Sequence, residues 1–461
     1  MSRPKSLFST SHLPDAPANL ITREQAEALA RRVLAFAKAD ETAVSIDSEA
    51  RANTRFAVNQ VSTAGDDVDT TITVRSVFGK KAASVTTNKT DDASLAATVR
   101  AAEDLARLAP EDPEYMPMLG AQTYSSSVAP APSLPSSVER AAAVKLIADR
   151  ARAAGFVATG YIEARSGARA LANSRGLFAY DHTGGANLTV TVRTPDGTGS
   201  GWAGANANDW SGIDPAAIAA TATEKAGRSR DPVAVEPGRY TVVLEPTAVG
   251  NMIQLVAFGL QARSADEGRS AFSKPGGGTK IGSKVADPRV TLVSDPADNL
   301  GDDFTFDGAP AQRVVWIQDG VLQNLNYDRY WAQHQGKQPS NAPFRALRLS
   351  GGNTSIPEMI ASTERGILVT RFWYIRPVDP RTLLFTGLTR DGTFLIENGK
   401  VTHSIKNFRY NDSPLFMLNN VEAMGTPVRV SSSEDSSPGA AITMPPLKLR
   451  DFSFTSLSDA V

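Results

Sequence analysis

Three dipeptides in the second half of the chain constrain its fold more than any other feature: Asp319-Gly320, Asp391-Gly392 and Asn398-Gly399. Each stands between apolar runs, in "VVWIQDGVLQNL" and "LLFTGLTRDGTFLIENGKVTHSI". Asp-Gly and Asn-Gly supply the two successive positive-φ residues that tight hairpins need. All three pairs therefore predict hairpin turns. Further runs, "RYTVVLEP", "RVTLVSD", "GILVTRFWYIR" and "ITMPPLKLRDFSF", read as strands. Residues 233–461 are expected to form a mostly antiparallel, barrel-like β domain.

The first half reads differently. Thr22 and Gln25 have capping-box spacing ahead of a stripe of Ala26, Leu29, Val33 and Leu34, so a helix begins there. Thr70, Ile72, Val74 and Ser76 alternate with Thr71, Thr73 and Arg75 at strand period. Asp92 precedes a second helix with Leu95, Val99, Ala102 and Ala106 on one face. Residues 1–112 are thus an α+β unit, and the Pro- and Ser-rich segment 113–136 a linker or wrapping segment. Residues 137–232 form a middle α+β region. It opens on a helix capped by Ser136 and Glu139 and ending at Gly155, continues in short strands, and adds a helix from Asp214-Pro215 to Arg228. The fold class is α+β, with an α/β sandwich-like N-terminal and middle part. "SSSEDSSPG", with Asp435 to Gly439, reads as an exposed loop.

Composition excludes several functions. With 461 residues the chain exceeds one ordinary domain, and 41% hydrophobic residues mark a folded protein. A net charge of −1, without a basic block interleaved with aromatics, gives no pull toward nucleic acid. There is no cysteine, hence no disulfide, thiolate nucleophile or cysteine-held metal. No apolar run is long enough to span a membrane, and the N-terminus has no apolar signal region, so a cytoplasmic location is expected.

Chemical motifs are sparse. His12, His182, His334 and His403 are isolated, and no two share one helix face. The glycine-rich "SKPGGGTKIG", Ser273 to Gly282, lacks the Gly-Lys-Ser/Thr ending of a phosphate loop and reads as a turn. Asp302-Asp303 and Asp91-Asp92 read as caps or turns. "PTAVGNMIQLVAFGLQA", Pro246 to Ala262, follows a strand and reads as one helix without an ionisable group. Val249, Met252, Ile253, Val256, Ala257 and Leu260 form its stripe, and Leu255 and Phe258 make the opposite face apolar too, so burial nearly all round is expected.

Several blocks, in order, carry a resemblance: "TITVRSVFGKKAASVTTNKTDDASLAATVRAAEDLA", "VVLEPTAVGNMIQLVAFGL", "FTFDGAPAQRVVWIQDGVLQNLNYDRYWA", "GLTRDGTFLIENGKVTHSIKNFRYNDSPLFMLNNVEAMG" and "PPLKLRDFSF". The chain resembles the TldD/PmbA family, once described as modulators of DNA gyrase and now as subunits of a cytoplasmic metallopeptidase. In that family the TldD kind carries His-Glu-x-x-x-His on the helix after the first C-terminal-domain strand, with a cysteine near the C-terminus completing a zinc site. The TldE (PmbA) kind lacks these groups. The resemblance sets the six motif positions on Gln254 to Gly259. Gln254 stands for the first histidine, Leu255 for the glutamate and Gly259 for the second histidine. A neutral amide is a poor zinc ligand, glycine offers none, and leucine cannot accept a proton. The resemblance thus implies a TldE-like subunit without catalytic residues, cofactor or metal of its own. Zinc is then expected in a TldD-like partner, within a heterodimer or higher hetero-oligomer acting on unfolded peptide, which in this family adds as a strand to sheet edges. Homodimers without the partner remain open. The alternatives are a stand-alone peptidase, joining His182, His334 or His403 to carboxylates such as Asp307 or Asp379, and a non-enzymatic peptide-binding or regulatory protein.

Overall fold

A computed structural model describes residues 20–124, 128–343, 346–431 and 441–458. His12 and the loop Asp435 to Gly439 lie outside the described residues. The first six strands are β1 (Glu41–Ala57), β2 (Gln60–Phe78), β3 (Lys81–Thr87), β4 (Val157–Asn173), β5 (Phe178–Arg193) and β6 (Ser200–Ala207). They form one sheet in the order β3-β2-β1-β4-β5-β6. The N-terminal and middle regions thus share a sheet, joined by the antiparallel pairing of β1 with β4 from Ala43↔Asn173 to Phe56↔Gly160. The middle strands, expected short, are instead a long hairpin with continuous register from Val157↔Arg193 to Ala172↔Phe178.

One face of this sheet carries four helices, α1 (Arg23–Ala35), α2 (Asp92–Leu108), α3 (Ser137–Ala153) and α4 (Pro215–Arg228). The period-2 pattern drives this: Val44, Ile46, Ile72, Val74, Ala168 and Ala170 point one way and pack with Leu29, Val33, Leu95 and Val99 of α1 and α2. Phe56, Ile162, Leu188 and Val190 pack likewise with Val144 and Ile147 of α3 and Ile218 and Ala222 of α4. The capping boxes of α1 and α3 form as expected, Gly155 takes φ +72, and Asp214 caps α4. The α2 cap is Asp91, one residue before the expected Asp92. The described residues of 113–136 contact both the first sheet and the C-terminal part. Tyr115 donates to Glu41, Tyr124 donates to the Gly308 carbonyl at 2.6 Å, and Ser133 donates to Asp209.

The C-terminal part begins with β7 (Gly238–Leu244), followed by the helical turns α5 (Pro246–Ile253), α6 (Val256–Gly259) and α7 (Ala262–Asp266). Its strands are β8 (Leu292–Ser294), β9 (Val314–Gln318), β10 (Val321–Leu322), β11 (Leu347–Leu349), β12 (Arg365–Asp379), β13 (Leu384–Glu397), β14 (Lys400–Ser404), β15 (Asn407–Asp412), β16 (Val421–Met424), β17 (Val428–Ser431), β18 (Ala441–Met444) and β19 (Leu447–Ser458). Strands β12, β7, β19, β15 and β13 follow one another around a ring, and the β12–β13 pairing closes it. The result is a barrel, as expected, antiparallel throughout except for parallel β7–β12. A second sheet runs β10-β9-β8-β11-β18-β17. "ITMPPLKLRDFSF" is therefore two strands in two sheets, because Pro445 and Pro446 interrupt pairing between β18 and β19.

Two of the three expected hairpin turns are present, with positive φ at Asp319 and Gly320 and at Asn398 and Gly399. Asp391-Gly392 is a correction. Its φ angles are also positive, +52 and +124, but β13 runs straight through it. The register steps from Val369↔Thr393 to Arg371↔Arg390, so the pair is a bulge in the barrel wall. The hairpin lies earlier, between Asp379 and Leu384. Local backbone preference is the same for both motifs, and only the partner strand distinguishes them.

Candidate functional site

The strand-to-helix corner after β7 is where the sequence placed the candidate site. Parallel pairing with β12 buries Val242, Val243 and Leu244, and Glu245 then turns the chain into α5 with Pro246 in its first turn. Lys225 of α4 holds the Glu245 carboxylate at 2.6 Å. α5 is buried from Ala248 to Ile253 in the large C-terminal core. Asn251 anchors it, its Oδ1 accepting the Phe372 N–H of β12 at 3.2 Å.

The expected single helix Pro246–Ala262 is not continuous. At Gln254 and Leu255 the chain tightens to i→i−3 bonds, Leu255 N–H to Met252 O and Ala257 N–H to Gln254 O. After Leu260 it leaves helical geometry: Gln261 has ψ 114, and the Ala262 and Asn326 amides exchange bonds with the Asn326 and Leu260 carbonyls. Glycine at 259, a poor helix former, and the competing pairing with Asn326 together end the run. The expectation of burial all round also fails. Val249, Met252, Ile253, Leu255, Val256 and Leu260 are buried, but Phe258 is 70% exposed and Gln261 is exposed. α6 therefore shows one face to solvent.

Gln254 is half-buried, with a long bond from its Nε2 to the Asn251 carbonyl at 3.4 Å. Leu255 packs into the core. Gly259 is buried, and its carbonyl accepts the Ser270 hydroxyl at 2.7 Å. A Cβ at Gly259 would lie 2.8 Å from Leu383 Cδ1 and 3.1 Å from Phe272 Cε2. These residues do not fit a zinc ion: the first position offers a neutral amide, the second an alkyl group in the core, and the third is filled by its neighbours' carbon atoms. Among the described residues no three His, Cys, Asp or Glu side chains gather as metal ligands. Leu383, which fills the third position, sits at the end of the β12–β13 hairpin with φ +50, a left-handed conformation unusual for a bulky residue.

The histidines are engaged separately. His182 meets the Ala129 carbonyl at 2.7 Å and the Tyr180 hydroxyl at 3.1 Å. His334 stacks on Trp331, and His403 on β14 lies 4.0 Å from Glu397. Asp307 takes the Thr305 hydroxyl and stands 3.4 Å from Arg329, while Asp379 caps its own turn through Arg381 N–H and the Thr382 hydroxyl. Ser273 to Gly282 is a turn with positive φ at four glycines, as expected. Asp91 caps α2, and the N–H of Asp303, between β8 and β9, donates to the Asp181 carboxylate on β5.

Sequence reasoning missed the joint between sheet and barrel. Arg371 of β12 binds Asp391 of the bulge through Nε at 3.0 Å and Nη2 at 2.6 Å, and Ser200 of β6 donates to the other Asp391 oxygen at 2.6 Å. Both charges are buried, and the guanidinium lies between the Trp202 and Trp373 rings. A cavity of about 420 Å³ adjoins this joint, lined in part by Asp196, Ser200, Asp391, Thr393 and Lys406. Elsewhere in the chain, two carboxyls are raised to about 6: Asp181, by burial and then by Asp303, and Asp412, by burial against the opposing pull of the Ser453 and Ser413 N–H groups.

Comparison with known proteins matches three family models in order along the chain: PmbA/TldA metallopeptidase domain 1 over 43–106, the central domain over 127–230 and the C-terminal domain over 237–456. A metalloprotease TldD homolog of Haemophilus influenzae is 30% identical over 190 residues, covering 38% of each chain. A metalloprotease of Methanothermobacter thermautotrophicus is 25% identical over 212 residues, covering 42% of this chain and 44% of its own. The chain therefore spans less than half the length of these relatives. TldE of Thermococcus kodakarensis shares the fold with TM-score 0.80 at 18% identity, over 93% of this chain and 99% of that one. A putative modulator of DNA gyrase from Thermotoga maritima does so with TM-score 0.79 at 17% identity, over 93% and 100%.

Proposed function

Because the chain belongs to the TldD/PmbA metallopeptidase family, we propose that it is a non-catalytic, TldE-like subunit that assembles with a zinc-bearing, TldD-like homologue. The observation that carries this reading is the trio Gln254, Leu255 and Gly259: a half-buried amide, an alkyl group in the core, and a glycine packed against Leu383 and Phe272. Side chains that can neither bind zinc nor take a proton from water occupy the ligand and base positions. The corner keeps its structural role, with β7 and α5 buried and Asn251 tying helix to barrel. The zinc and the general base then belong to the partner, and this chain supplies wall and peptide-binding surface for hydrolysis of unfolded peptides or peptide precursors. A cytoplasmic setting goes with this reading. No helix among the described residues is long and apolar enough to cross a membrane.

Co-expression with a homologue carrying His-Glu-x-x-x-His tests it. Expected are co-purification at equal stoichiometry, zinc that follows the homologue when the two are separated, and peptide hydrolysis lost when the homologue's histidines are replaced. Stoichiometric zinc or peptide hydrolysis in this chain alone overturns it.

A further inference from the structure

The cavity of about 420 Å³ beside the Arg371–Asp391 pair has no part in the subunit reading. It lies where the chain leaves α4 for the barrel. Buried Ser200, Ser229, Thr393 and Ser404 contribute to its floor, and exposed Asp196 and Asp231 to its rim. Its volume suits a small polar molecule.

The hydrogen bonds of its wall say which kind. A hydroxyl has one hydrogen to give. Ser200 gives its own to Asp391, Ser229 to the Ser200 carbonyl, Ser404 to the Ser229 carbonyl and Thr393 to Asn407 Oδ1. The backbone N–H groups of Thr198, Asp231 and Lys406 are bonded as well. These groups are left with oxygen lone pairs, which accept.

At the rim the acceptors carry charge. Asp196 Oδ1 accepts the Thr194 hydroxyl and both the hydroxyl and the N–H of Thr198, while no described residue reaches Oδ2. Those bonds, that of Thr194 foremost, hold the Asp196 carboxyl below its usual range, so it is ionised at neutral pH. Thr198 also joins it to Asp231, whose N–H donates to the Thr198 hydroxyl at 3.3 Å. Among the described residues no cation pairs with either carboxylate. Lys406 is the cation among the lining residues, against Asp196, Asp231 and Asp391, and Arg371 offsets only Asp391.

A second, independent observation comes from the barrel wall. Thr370 is fully buried, and its hydroxyl has no partner. That hydroxyl lies 2.8 Å from the place a Cβ on Gly392 would take, and Gly392 lines the cavity. The absent side chain leaves a notch with an unspent hydroxyl facing it, and a buried hydroxyl without a partner is costly.

We infer that this cavity binds a primary ammonium group, donating to Asp196 Oδ2, to Asp231 and to a hydroxyl oxygen of the floor. An ammonium has three donors and no acceptor, which matches a wall of acceptors. A guanidinium fits less well, because its fork takes both oxygens of one carboxylate and Asp196 has one open. An oxyanion would face two unpaired carboxylates. The ammonium comes either from a free small amine or from the N-terminus of a peptide.

Calorimetry on the full chain with L-alaninamide, with tri-alanine amide and with the N-acetylated form of each tests this. Both ammonium compounds are expected to bind at one per chain, and both acetylated forms at least tenfold more weakly. Tighter binding of tri-alanine amide assigns the site to peptide N-termini; equal or tighter binding of L-alaninamide assigns it to free amines. Hydrogen exchange on the wild-type chain is expected to slow at residues 196–200 and 404–407 when either compound binds. The double variant Asp196→Asn/Asp231→Asn removes both charges, keeps an acceptor for Thr198, and places at 231 a residue that tolerates the φ of +48 found there. Checked for an unchanged melting temperature, it is expected to bind both compounds at least tenfold more weakly. The assignment is overturned if neither ammonium compound binds, if the acetylated forms bind equally, or if ethylguanidinium binds more tightly than L-alaninamide. Binding that leaves residues 196–200 and 404–407 unprotected, or a folded double variant that binds normally, overturns it too. None of these outcomes bears on the subunit reading.

Discussion

The missing side chain of Gly259 points at Leu383: a Cβ there would lie 2.8 Å from Leu383 Cδ1. Leu383 is buried and held at φ +50, so it cannot move without carrying the end of the β12–β13 hairpin with it. Gly259→Ala is expected to destabilise by about 1–3 kcal/mol through overpacking. Leu383→Ala alone leaves a cavity and costs about 2–5 kcal/mol. Together the two should cost less than their sum, a coupling that urea unfolding of the four proteins in the cycle measures. Additive costs would mean that the contact is not tight.

Rebuilding the motif by Gln254→His, Leu255→Glu and Gly259→His is expected to yield a destabilised chain without zinc. The glutamate would be buried where Leu255 packs, and the imidazole at 259 would meet Leu383 and Phe272. Metal analysis and thermal melting check this. A stable triple variant binding one zinc per chain would show that the corner is still shaped for metal.

Asp391→Ala should be among the most damaging single changes. It strips Arg371 of the one carboxylate oxygen that both its Nε and Nη2 reach, and Ser200 of its acceptor, inside the sheet–barrel joint. Removing one partner of a buried pair costs about 3–5 kcal/mol. Denaturant unfolding of Asp391→Ala, and of Asp391→Ala combined with Arg371→Met, separates the lost pair from the stranded charge. The double variant is expected to be the more stable of the two.

Asp181 and Asp412 have carboxyls raised to about 6 from an ordinary 3.8. A folded carboxyl that holds its proton more tightly than the unfolded one stabilises the protein at low pH and loses that contribution as pH rises through the folded value. Thermal stability is therefore expected to rise between pH 7 and about pH 5, by roughly 1–2 kcal/mol for each group. Asp287, lowered to about 2 by Arg289, acts oppositely and only below about pH 4. Asp181→Asn keeps an acceptor for the Asp303 N–H and should flatten part of the rise. A melting temperature independent of pH across this window would refute the assignment.

Phe258, an apolar residue on an apolar stretch, is expected to be replaceable by serine within about 0.5 kcal/mol, because it is 70% exposed. A cost of several kcal/mol on thermal unfolding would show that it is covered in the isolated chain.

The residue types at 254, 255 and 259 are read from the chain alone, and the resemblance is what makes them motif positions. No packing turns Gln254, Leu255 and Gly259 into a zinc ligand set. What fills the space beside Gly259 is not legible in the sequence. Leu383 lies more than a hundred residues downstream, beside Thr382 and Leu384, and nothing in "RTLLFTG" marks it as the residue that reaches Gly259. The helix at 246–262 shows the same limit. Its apolar spacing is that of a helix, but the pairing with Asn326 that breaks it is a long-range contact.

By itself the sequence determined the local elements whose causes are local. The capping boxes at Thr22 and Ser136, the Asp214-Pro215 start, the turns at Asp319-Gly320 and Asn398-Gly399 and the alternation along β2 all follow from side chains bonding or packing within a few residues. Tertiary structure alone decided that β1 and β4 merge two regions into one sheet, that β12 and β13 close a barrel, and that Asp391-Gly392 is a bulge holding Arg371 rather than a turn. The reason is physical: a positive-φ pair, an apolar run or a charged side chain is compatible with several structures, and burial against a distant partner selects among them.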